Sequence, residues 1–258
     1  MKIEHRTAVL TGATGGIGTA IAKALDTRGA HLLLVGRREQ ALYQLNRSLG
    51  ERHTVIVADI ATVAGRETVV AAAAADCSVL INAAGTQPAG MLAVQREPTI
   101  SRSLDINLCA PVLLTHALLP QLLAQKQAAI VNIGSVFGSI GYPGFSVYCA
   151  AKFGLHGFSE ALARELADTA VDVFYLAPRA TRTTFNSSAV DALNAELGNT
   201  LDPPERVASA LLAQLEYGRR RAFLGWPEKV FVPLNALLPA LVDRALKKQL
   251  PKIKRYLA

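Results

Sequence analysis

The chain has 258 residues, of which 51% are hydrophobic and only 18% are charged. This composition excludes a disordered chain, because enough apolar surface is available to build a sizeable core. No stretch has the composition of an interdomain linker and no internal repeat of fixed period occurs. We therefore expect one main domain over residues 1–225 and a C-terminal helical extension over residues 226–258, packed on or beside it.

The net charge of +7 is concentrated near the C-terminus. From Arg219 onward, ten Lys and Arg residues face only Glu228 and Asp243, a local balance of +8, whereas the preceding residues balance to −1. The densest basic cluster, residues 244–255, contains no groove-reading motif and no interleaved aromatic residues. We therefore expect no nucleic-acid partner.

The first six residues include the charged Lys2, Glu4 and Arg6 and lead directly into an apolar strand, without the apolar core of a secretion signal. We therefore expect no export and a cytoplasmic location. The three cysteines, Cys77, Cys109 and Cys149, are odd in number, which suits reduced thiols in that compartment. We predict no metal site.

Apolar runs of strand length alternate with helical patterns along most of the chain. The predicted strands are Thr7–Thr11, His31–Val35, Thr54–Ala58, Val79–Asn82, Ala129–Ile133, Val171–Ala177 and Ala222–Leu224. The predicted helices include Ile17–Arg28, Arg38–Leu49, the Ala71–Ala75 run, Thr99–Gln125 and Tyr148–Ala167. The strands show little polar alternation, as expected for strands covered on both faces. The pattern predicts an α/β fold with a doubly wound parallel sheet, in which ligands bind beyond the carboxyl ends of the strands.

A glycine-rich turn joins the first predicted strand to the first predicted helix. Gly12, Gly16 and Gly18 follow the spacing G-x-x-x-G-x-G, with Thr14 and Ile17 between them. Glycines here let a pyrophosphate approach bare backbone at the positive end of a helix. The position of the turn, between an apolar strand and an amphipathic helix, predicts a dinucleotide site.

The end of the second strand indicates which dinucleotide is bound. An NAD site usually carries an acidic residue there for the ribose 2′-hydroxyl, whereas this chain offers Arg37 and Arg38, with Glu39 one residue later. A guanidinium can bind a 2′-phosphate through two hydrogen bonds. We therefore predict NADP(H) with Arg37 as the main ligand; the alternative is that both arginines are solvated at a helix start.

The third and fourth strands end in residues that suit the same cofactor. Asp59 closes the third strand, and Asn82-Ala83-Ala84-Gly85 closes the fourth. Under the binding interpretation, Asp59 accepts a hydrogen bond from the adenine amino group, while Ala83 and Gly85 leave room for the cofactor. Both segments could also be ordinary turns at strand ends.

Tyr148 and Lys152 are four residues apart on a predicted helix and therefore share one face. A phenol of pKa ~10 needs roughly 4 kcal/mol of preferential phenolate stabilisation to titrate near pH 7. The Lys152 ammonium and the positive nicotinamide of an oxidised cofactor are the expected sources. Ser135 follows the fifth strand and can donate to a substrate carbonyl. Asn107 lies in the middle of a helix, where a polar side chain suggests a task such as fixing a water molecule.

These motifs together resemble the short-chain dehydrogenase/reductase family over nearly all of the first 185 residues. The matching stretches are Thr11 to Gly18, Asn82 to Gly85, Asn107, Ser135 and Tyr148 to Lys152. The resemblance implies a Rossmann fold with a seven-stranded sheet and reversible carbonyl/alcohol chemistry. It implies that Tyr148 is the acid–base residue and that Lys152 activates it and binds the ribose. It further implies that Ser135 orients the substrate, that Asn107 supports a proton-relay water, and that long helices pair subunits into a homodimer or homotetramer.

One segment departs from the family pattern. After the sixth strand the family usually has Pro-Gly, whereas this chain has Pro178-Arg179, and Thr183 still occupies the position expected to meet the cofactor. Arg179 could direct a charge toward the cofactor phosphates or an anionic substrate. A solvated arginine is the alternative.

The C-terminal extension combines an apolar run, Val230–Val242, with a basic ending. The run contains two prolines and is too short to span a bilayer. It could lie peripherally on an anionic membrane at its inner face, pack on a neighbouring subunit or over an apolar pocket, or meet an acidic protein. The polar stretch Thr184–Pro204 before it is a candidate lid.

The sequence thus predicts an NADP(H)-dependent oxidoreductase that interconverts a ketone and a secondary alcohol. The apolar tail favours an apolar substrate, such as a 3-oxoacyl chain that could be carrier-bound, a lipid or a steroid-like ring. The alternative is a sensor or scaffold that binds NADP(H) without turnover. An intact set of Tyr148, Lys152, Ser135 and Asn107 argues against that alternative, because a sensor needs none of them.

Overall fold

The structure, a computed structural model, describes residues 1–73 and 76–258. Seven strands form a sheet in the order β3-β2-β1-β4-β5-β6-β7, and each neighbouring pair is parallel. The strands are β1 (Thr7–Thr11), β2 (His31–Gly36), β3 (Thr54–Val57), β4 (Cys77–Asn82), β5 (Ala128–Ile133), β6 (Val171–Ala177) and β7 (Arg221–Phe223). The predicted doubly wound parallel sheet is confirmed, and the predicted strand bounds lie within two residues of these.

The helices are α1 (Gly16–Thr27), α2 (Glu39–Ser48), α3 (Val63–Ala72), α4 (Glu97–Leu104), α5 (Ala110–Leu123), α6 (Ser146–Glu165), α7 (Ser188–Glu196), α8 (Pro204–Tyr217), α9 (Glu228–Leu237) and α10 (Pro239–Leu257). The predicted alanine-rich helix ends at Ala72, and its predicted continuation includes residues 74 and 75, which lie outside the described residues.

Successive residues of the central strands contribute to two separate apolar layers. In β1, Ala8 and Leu10 pack in one layer with Leu211 of α8, whereas Val9 between them packs in the other with Leu114 of α5. Because both faces of the sheet are covered, each position of the strand must be apolar, which explains the missing polar alternation.

The predicted helix Thr99–Gln125 is interrupted by a π-helical turn over Asp105–Cys109, which joins α4 to α5. Pro111 has no N–H to donate to the Asn107 carbonyl four residues earlier, so the regular hydrogen-bond ladder cannot continue here. By length and composition alone the segment Glu97–Leu123 could cross a membrane. In this fold it is a core helix, because Leu114 is fully buried against the sheet.

The strand order reverses direction between β1 and β4, which opens a crevice at the carboxyl ends of both strands. The Thr11 hydroxyl at the end of β1 accepts hydrogen bonds from the amides of Ala83 (3.0 Å) and Ala84 (3.2 Å), just after β4. These bonds fix the two strand ends to each other, and the predicted ligand site lies at this edge.

The C-terminal helix α10 packs on the body of the protein. Ile253 and Leu257 are buried in one cluster with Phe145, Val190 and Leu193, which belong to the segment before α6 and to α7. The outer positions of α10 are exposed. The predicted division between residues 225 and 226 stays a prediction.

Candidate active site

A cleft of about 760 Å³ opens at the carboxyl ends of the strands. It is lined by all the predicted site residues except Asn82 and Asn107, namely Gly12, Thr14, Gly16, Ile17, Gly18, Arg37, Asp59, Ala83, Gly85, Ser135, Tyr148, Lys152, Pro178 and Thr183. The predicted dinucleotide half and the predicted reacting half therefore share one cavity.

The glycine turn forms one wall of the cleft. Gly12 has φ +66°, and a Cβ there would overlap the backbone of Ala84. Only glycine suits both the left-handed conformation and this close approach. Gly15 precedes α1 and provides no side-chain cap, so backbone amides with a positive partial charge stand at the cleft. This cradle fits the pyrophosphate of a dinucleotide.

Arg37 and Arg38 both line the cleft beyond β2. The Arg38 guanidinium donates a hydrogen bond to the carbonyl oxygen of Thr14, at 2.9 Å. This bond attaches the end of β2 to the glycine turn. Arg38 is therefore partly engaged by the protein itself, which agrees with the preference for Arg37 as the phosphate ligand.

Asp59 lies beside the cleft but is also bonded within the protein. Its carboxylate accepts hydrogen bonds from Arg102 of α4 at 2.5 Å and from the amide of Ala61 at 3.1 Å. Burial alone raises the pKa of Asp59, but these two bonds and the charges of Arg102 and Arg37 hold the pKa below its ordinary value. Asp59 is thus ionised at neutral pH and attaches α4 to the end of β3.

Asn82 belongs to a buried hydrogen-bond network, and its predicted cofactor contact stays a prediction. Its side-chain amide donates to Asn132 Oδ1 at 2.9 Å and to Thr115 Oγ1 at 3.2 Å, and Asn132 in turn donates to Ser159 at 2.8 Å. These groups are buried within the sheet and its helices, and the network satisfies the Asn82 side-chain nitrogen but leaves Asn82 Oδ1 without a partner. The Asn82 side chain is therefore directed away from the cleft, and Ala83 and Gly85 line it instead.

Asn107 is fully buried in the π-helical turn and does not line the cleft. Its amide nitrogen donates to the carbonyl oxygens of Thr86 (2.8 Å) and Ser103 (2.9 Å), and its oxygen accepts from the Thr86 amide at 3.3 Å. These hydrogen bonds give the polar Asn107 side chain a structural role in the middle of the helix. They hold the segment after β4 against α4.

Tyr148 and Lys152 lie on the face of α6 that borders the cleft, and both side chains are buried. The Lys152 Nζ lies 5.7 Å from the centroid of the Tyr148 ring and donates to the Ile133 carbonyl oxygen at 2.9 Å. The Ser135 side chain lies close enough to the Tyr148 hydroxyl to lower the pKa of that phenol. The helix and the loop after β5 thus bring the three predicted reacting groups together.

Burial dominates the ionisation of both groups on α6. It raises the pKa of Tyr148, against the effect of the Ser135 side chain, which lowers it. It also lowers the pKa of Lys152 to about 8, because an ammonium is poorly solvated there. We expected Lys152, together with an oxidised nicotinamide, to lower the pKa of the phenol toward about 7. The protein groups alone do not lower it, because desolvation outweighs the effect of Ser135.

Arg179 is neither directed at a phosphate nor solvated. Its guanidinium donates to Asp202 Oδ1 at 2.8 Å and to the Trp226 carbonyl oxygen at 3.1 Å, and it forms a second ion pair with Glu228 at 3.5 Å. The Arg179 side chain is only 10% exposed and that of Asp202 only 4%. The arginine that replaces the family glycine therefore connects the loop after β6 to the starts of α8 and α9.

A further side of the cleft, which we name the roof, matches one of the alternatives for the C-terminal apolar run, that of packing over an apolar pocket, although no roof residue was predicted individually. It consists of α7, α9 and α10, and its lining includes Val190, Leu193, Phe231, Leu234, Leu241, Val242, Ala245 and Leu246. The spacing of Val242, Leu246, Gln249 and Ile253 on α10 is that of one helical face and could have indicated it. The predicted lid stretch contains α7, whose Val190 and Leu193 lie in this lining.

Comparisons with known proteins agree with this architecture. Residues 6–194 match the family described as short chain dehydrogenase. The uncharacterized oxidoreductase YxnA of Bacillus subtilis is 30% identical over 259 residues, covering 96% of this chain and 73% of that protein. The 3-oxoacyl-[acyl-carrier-protein] reductase FabG of Rickettsia conorii is 30% identical over 178 residues, covering 69% of this chain and 73% of that protein.

Among solved structures, a short-chain dehydrogenase from Sphingobium yanoikuyae in complex with NADPH superposes with a TM-score of 0.79 at 26% identity, covering 92% of this chain and 95% of that one. The fold, the shared cleft and the sequence match lead to one identification. The chain belongs to the short-chain dehydrogenase/reductase family, whose members are oxidoreductases that act on CH–OH and C=O groups with a nicotinamide cofactor.

Proposed function

We propose that the protein is an NADP(H)-dependent reductase of ketones with an apolar body. The observation that carries the proposal is the convergence of Ser135, Tyr148 and Lys152 in the cleft that also contains the glycine turn. A bound nicotinamide ring would exchange a hydride with the substrate carbon. The protein groups then serve the substrate oxygen, which must gain a proton when the ketone becomes an alcohol.

Tyr148 is the proton donor in this proposal. Because burial raises the pKa of its phenol, the protonated form is the resident one at neutral pH, which suits donation to a nascent alkoxide. Ser135 donates a hydrogen bond to the same substrate oxygen. Lys152 is still largely protonated at neutral pH, since its pKa is about 8, and its charge stabilises the phenolate once the proton has left. Asn107 has the predicted task of supporting a proton-relay water.

The choice of NADP(H) over NAD(H) rests on the end of β2. Arg37 and Arg38 line the cleft there, where an NAD site usually carries a carboxylate. Arg38 is engaged with Thr14, so Arg37 is the proposed partner of the 2′-phosphate. Asp59 accepts from the adenine, and Pro178 and Thr183 border the nicotinamide end.

The roof supports an apolar substrate. Its lining from α7, α9 and α10 is dominated by aliphatic and aromatic side chains, with Asn194, Glu228 and Gln249 as polar exceptions. A 3-oxoacyl chain, a lipid ketone or a steroid-like ring would bury apolar surface there. The name of the FabG relative supports the first of these, including a carrier-bound form.

We propose that the protein is cytoplasmic and that the outer surface of the roof contacts the inner face of an anionic membrane. Trp226, Leu237 and Leu238 are 70%, 78% and 53% exposed, and the exposed positions of α10 include Arg244 and Lys247. Apolar and cationic side chains on one surface suit an anionic bilayer. A second copy in a two-fold interface would place this basic surface against itself.

The proposed oligomer would use another surface. Leu113 of α5 and Phe153 of α6 are both 43% exposed, and these are the two long helices through which the family is expected to pair. A homodimer or homotetramer would cover them.

The proposed function is tested with a panel of ketones and acyl thioesters, by following NADPH absorbance with the wild-type protein and Tyr148→Phe. We expect oxidation of NADPH with an apolar ketone and about a thousandfold lower kcat in the variant, as for loss of a general acid. NADPH binding, measured by fluorescence titration, should stay unchanged. Binding without turnover of any ketone would instead favour the sensor or scaffold hypothesis, and full activity of the variant would exclude Tyr148 as the acid.

A further inference from the structure

We propose that Tyr175 is a positioning residue that holds Ser135 in its working orientation, an inference that rests on the proposed function. Tyr175 lies in β6 next to β5 and is 1% exposed. It does not line the cleft, and the family motifs do not include it. Its phenol nevertheless reaches the backbone of the serine that faces Tyr148.

Two hydrogen bonds join the phenol to Ser135. The Tyr175 hydroxyl donates to the Ser135 carbonyl oxygen at 3.2 Å and accepts from the Ser135 amide at 3.4 Å. One side chain thus satisfies both backbone groups of the same residue. Loss of the hydroxyl would leave both backbone groups without a hydrogen-bond partner. Water could not easily take its place, because the phenol is buried.

The loop after β5 is shaped to receive the tyrosine ring. A Cβ on Gly134 would overlap the Tyr175 ring, and a Cβ on Gly138 would overlap its hydroxyl oxygen. The two glycines therefore flank the phenol, one on each side of Ser135 along the chain. The close approach is needed at these positions, and any larger residue would force the ring or the loop to move.

His156 of α6 holds the ring from its other side. The His156 and Tyr175 rings are stacked with centroids 4.3 Å apart at 12°, and Phe223 meets both of them edge-on. His156 Nδ1 lies 3.2 Å from the Gly138 carbonyl oxygen, so the far end of the same loop is bonded as well. The stack leaves the phenol little freedom to swing away from Ser135.

The anchored backbone determines where the Ser135 hydroxyl points. Its oxygen already accepts a hydrogen bond from the Phe137 amide at 3.1 Å, which leaves its hydrogen available toward the cleft. A shift of the Ser135 backbone would therefore misdirect the donor that the substrate oxygen and Tyr148 share. Small misplacements of this kind lower kcat more than substrate binding.

The test combines kinetics with amide exchange in Tyr175→Phe, which keeps the ring and removes only the hydroxyl. We expect kcat with the best ketone to fall about threefold to tenfold, the effect of one or two hydrogen bonds, with KM and NADPH affinity nearly unchanged. In the Ser135→Ala background the same substitution should cause no further loss. An equal loss in both backgrounds would refute the positioning role, because Tyr175 would then act independently of Ser135.

The exchange measurement does not depend on activity. Hydrogen–deuterium exchange of the Ser135 amide should be about tenfold faster in Tyr175→Phe, since its acceptor is lost. Unchanged exchange would also overturn the inference. Thr7→Val is the matched control, because it removes a buried hydroxyl bonded to Asp76 at 2.8 Å at the far end of β1 and should alter neither readout. If no ketone is turned over, the proposed function fails while the exchange result still decides the role of Tyr175.

Discussion

The two sides of the cleft differ in how they are built. On one side, the glycine turn and the ends of β1 to β4 present mostly backbone and small residues to the cofactor. On the other side, the roof consists mostly of apolar side chains from α7 and from α9 and α10, the two helices of the basic C-terminal segment. A cofactor shared by a whole family can be bound through backbone geometry, whereas a particular substrate is recognised by side chains that differ from one member to the next.

Arg179 connects the loop after β6 to α9 of the roof, and its removal should have the largest effect on stability. Arg179→Ala leaves Asp202 buried with Arg206 as its remaining cationic partner, which should cost about 3 kcal/mol of unfolding free energy. Urea denaturation measures this. Arg179→Gly, which restores the family residue, should lose a similar amount of unfolding free energy. An Arg179→Gly protein as stable as the wild type would show that the ion-pair network does not hold the roof.

The same network predicts the pH dependence of stability. Burial raises the pKa of Asp202, but the hydrogen bond and charge of Arg179 and the contacts of Arg206 keep the pKa below its ordinary value in the folded protein. Its contribution is therefore complete above the ordinary pKa near 4 and is lost as pH falls through the lower folded pKa. Arg179→Ala should lose part of this acid-side dependence.

On the cofactor side, by contrast, a reacting group lowers the stability of the folded protein. That group is the buried ammonium of Lys152. Its pKa of about 8 in the folded protein lies below the ordinary value of 10.5, so its buried charge costs stability below pH 8. Lys152→Met should raise the unfolding free energy at pH 7 by roughly 2 kcal/mol, after allowance for the lost bond to Ile133, while abolishing most activity. The gain should shrink between pH 8 and pH 10.5. A constant gain over that range would contradict the assigned pKa.

Substitution of Arg37 tests the cofactor side of the cleft and leaves the roof unchanged. Arg37→Ala should weaken NADPH binding about thirtyfold, the value of a charged hydrogen bond, and leave NADH binding nearly unchanged. Fluorescence titration with both dinucleotides measures the ratio, with Arg38→Ala as the matched control. A wild-type protein that prefers NADH would end the NADP(H) assignment.

The smallest effect concerns the outer surface of the roof. Lys247→Gln should weaken binding to vesicles of phosphatidylcholine and phosphatidylglycerol by about 1 kcal/mol at low salt, with activity on a soluble ketone unchanged. Co-sedimentation measures the change, and Lys23→Gln on α1 is the control at another exposed site. Absence of wild-type binding to these vesicles would remove the membrane proposal.

The strands, the glycine turn and the position of Tyr148 beside Lys152 were predictable because their signals are local. An apolar strand followed by glycines needs no distant partner to be recognised, and a four-residue spacing on a helix places two side chains on one face. Asn82 and Asn107 were harder. Their motifs are local, but the direction of each side chain depends on Asn132 and Thr86, which are distant in sequence.

The amino-acid sequence by itself determined the doubly wound sheet, the dinucleotide turn and the identity of the reacting groups, since each follows from short-range periodicity and backbone conformation. Only the tertiary structure decided that Arg179 is an internal ion-pair partner, that Tyr175 lies beneath Ser135 and that α10 covers the cleft. Those contacts join residues from 23 to more than a hundred positions apart, and their free energies arise from burial and charge pairing that no local pattern encodes.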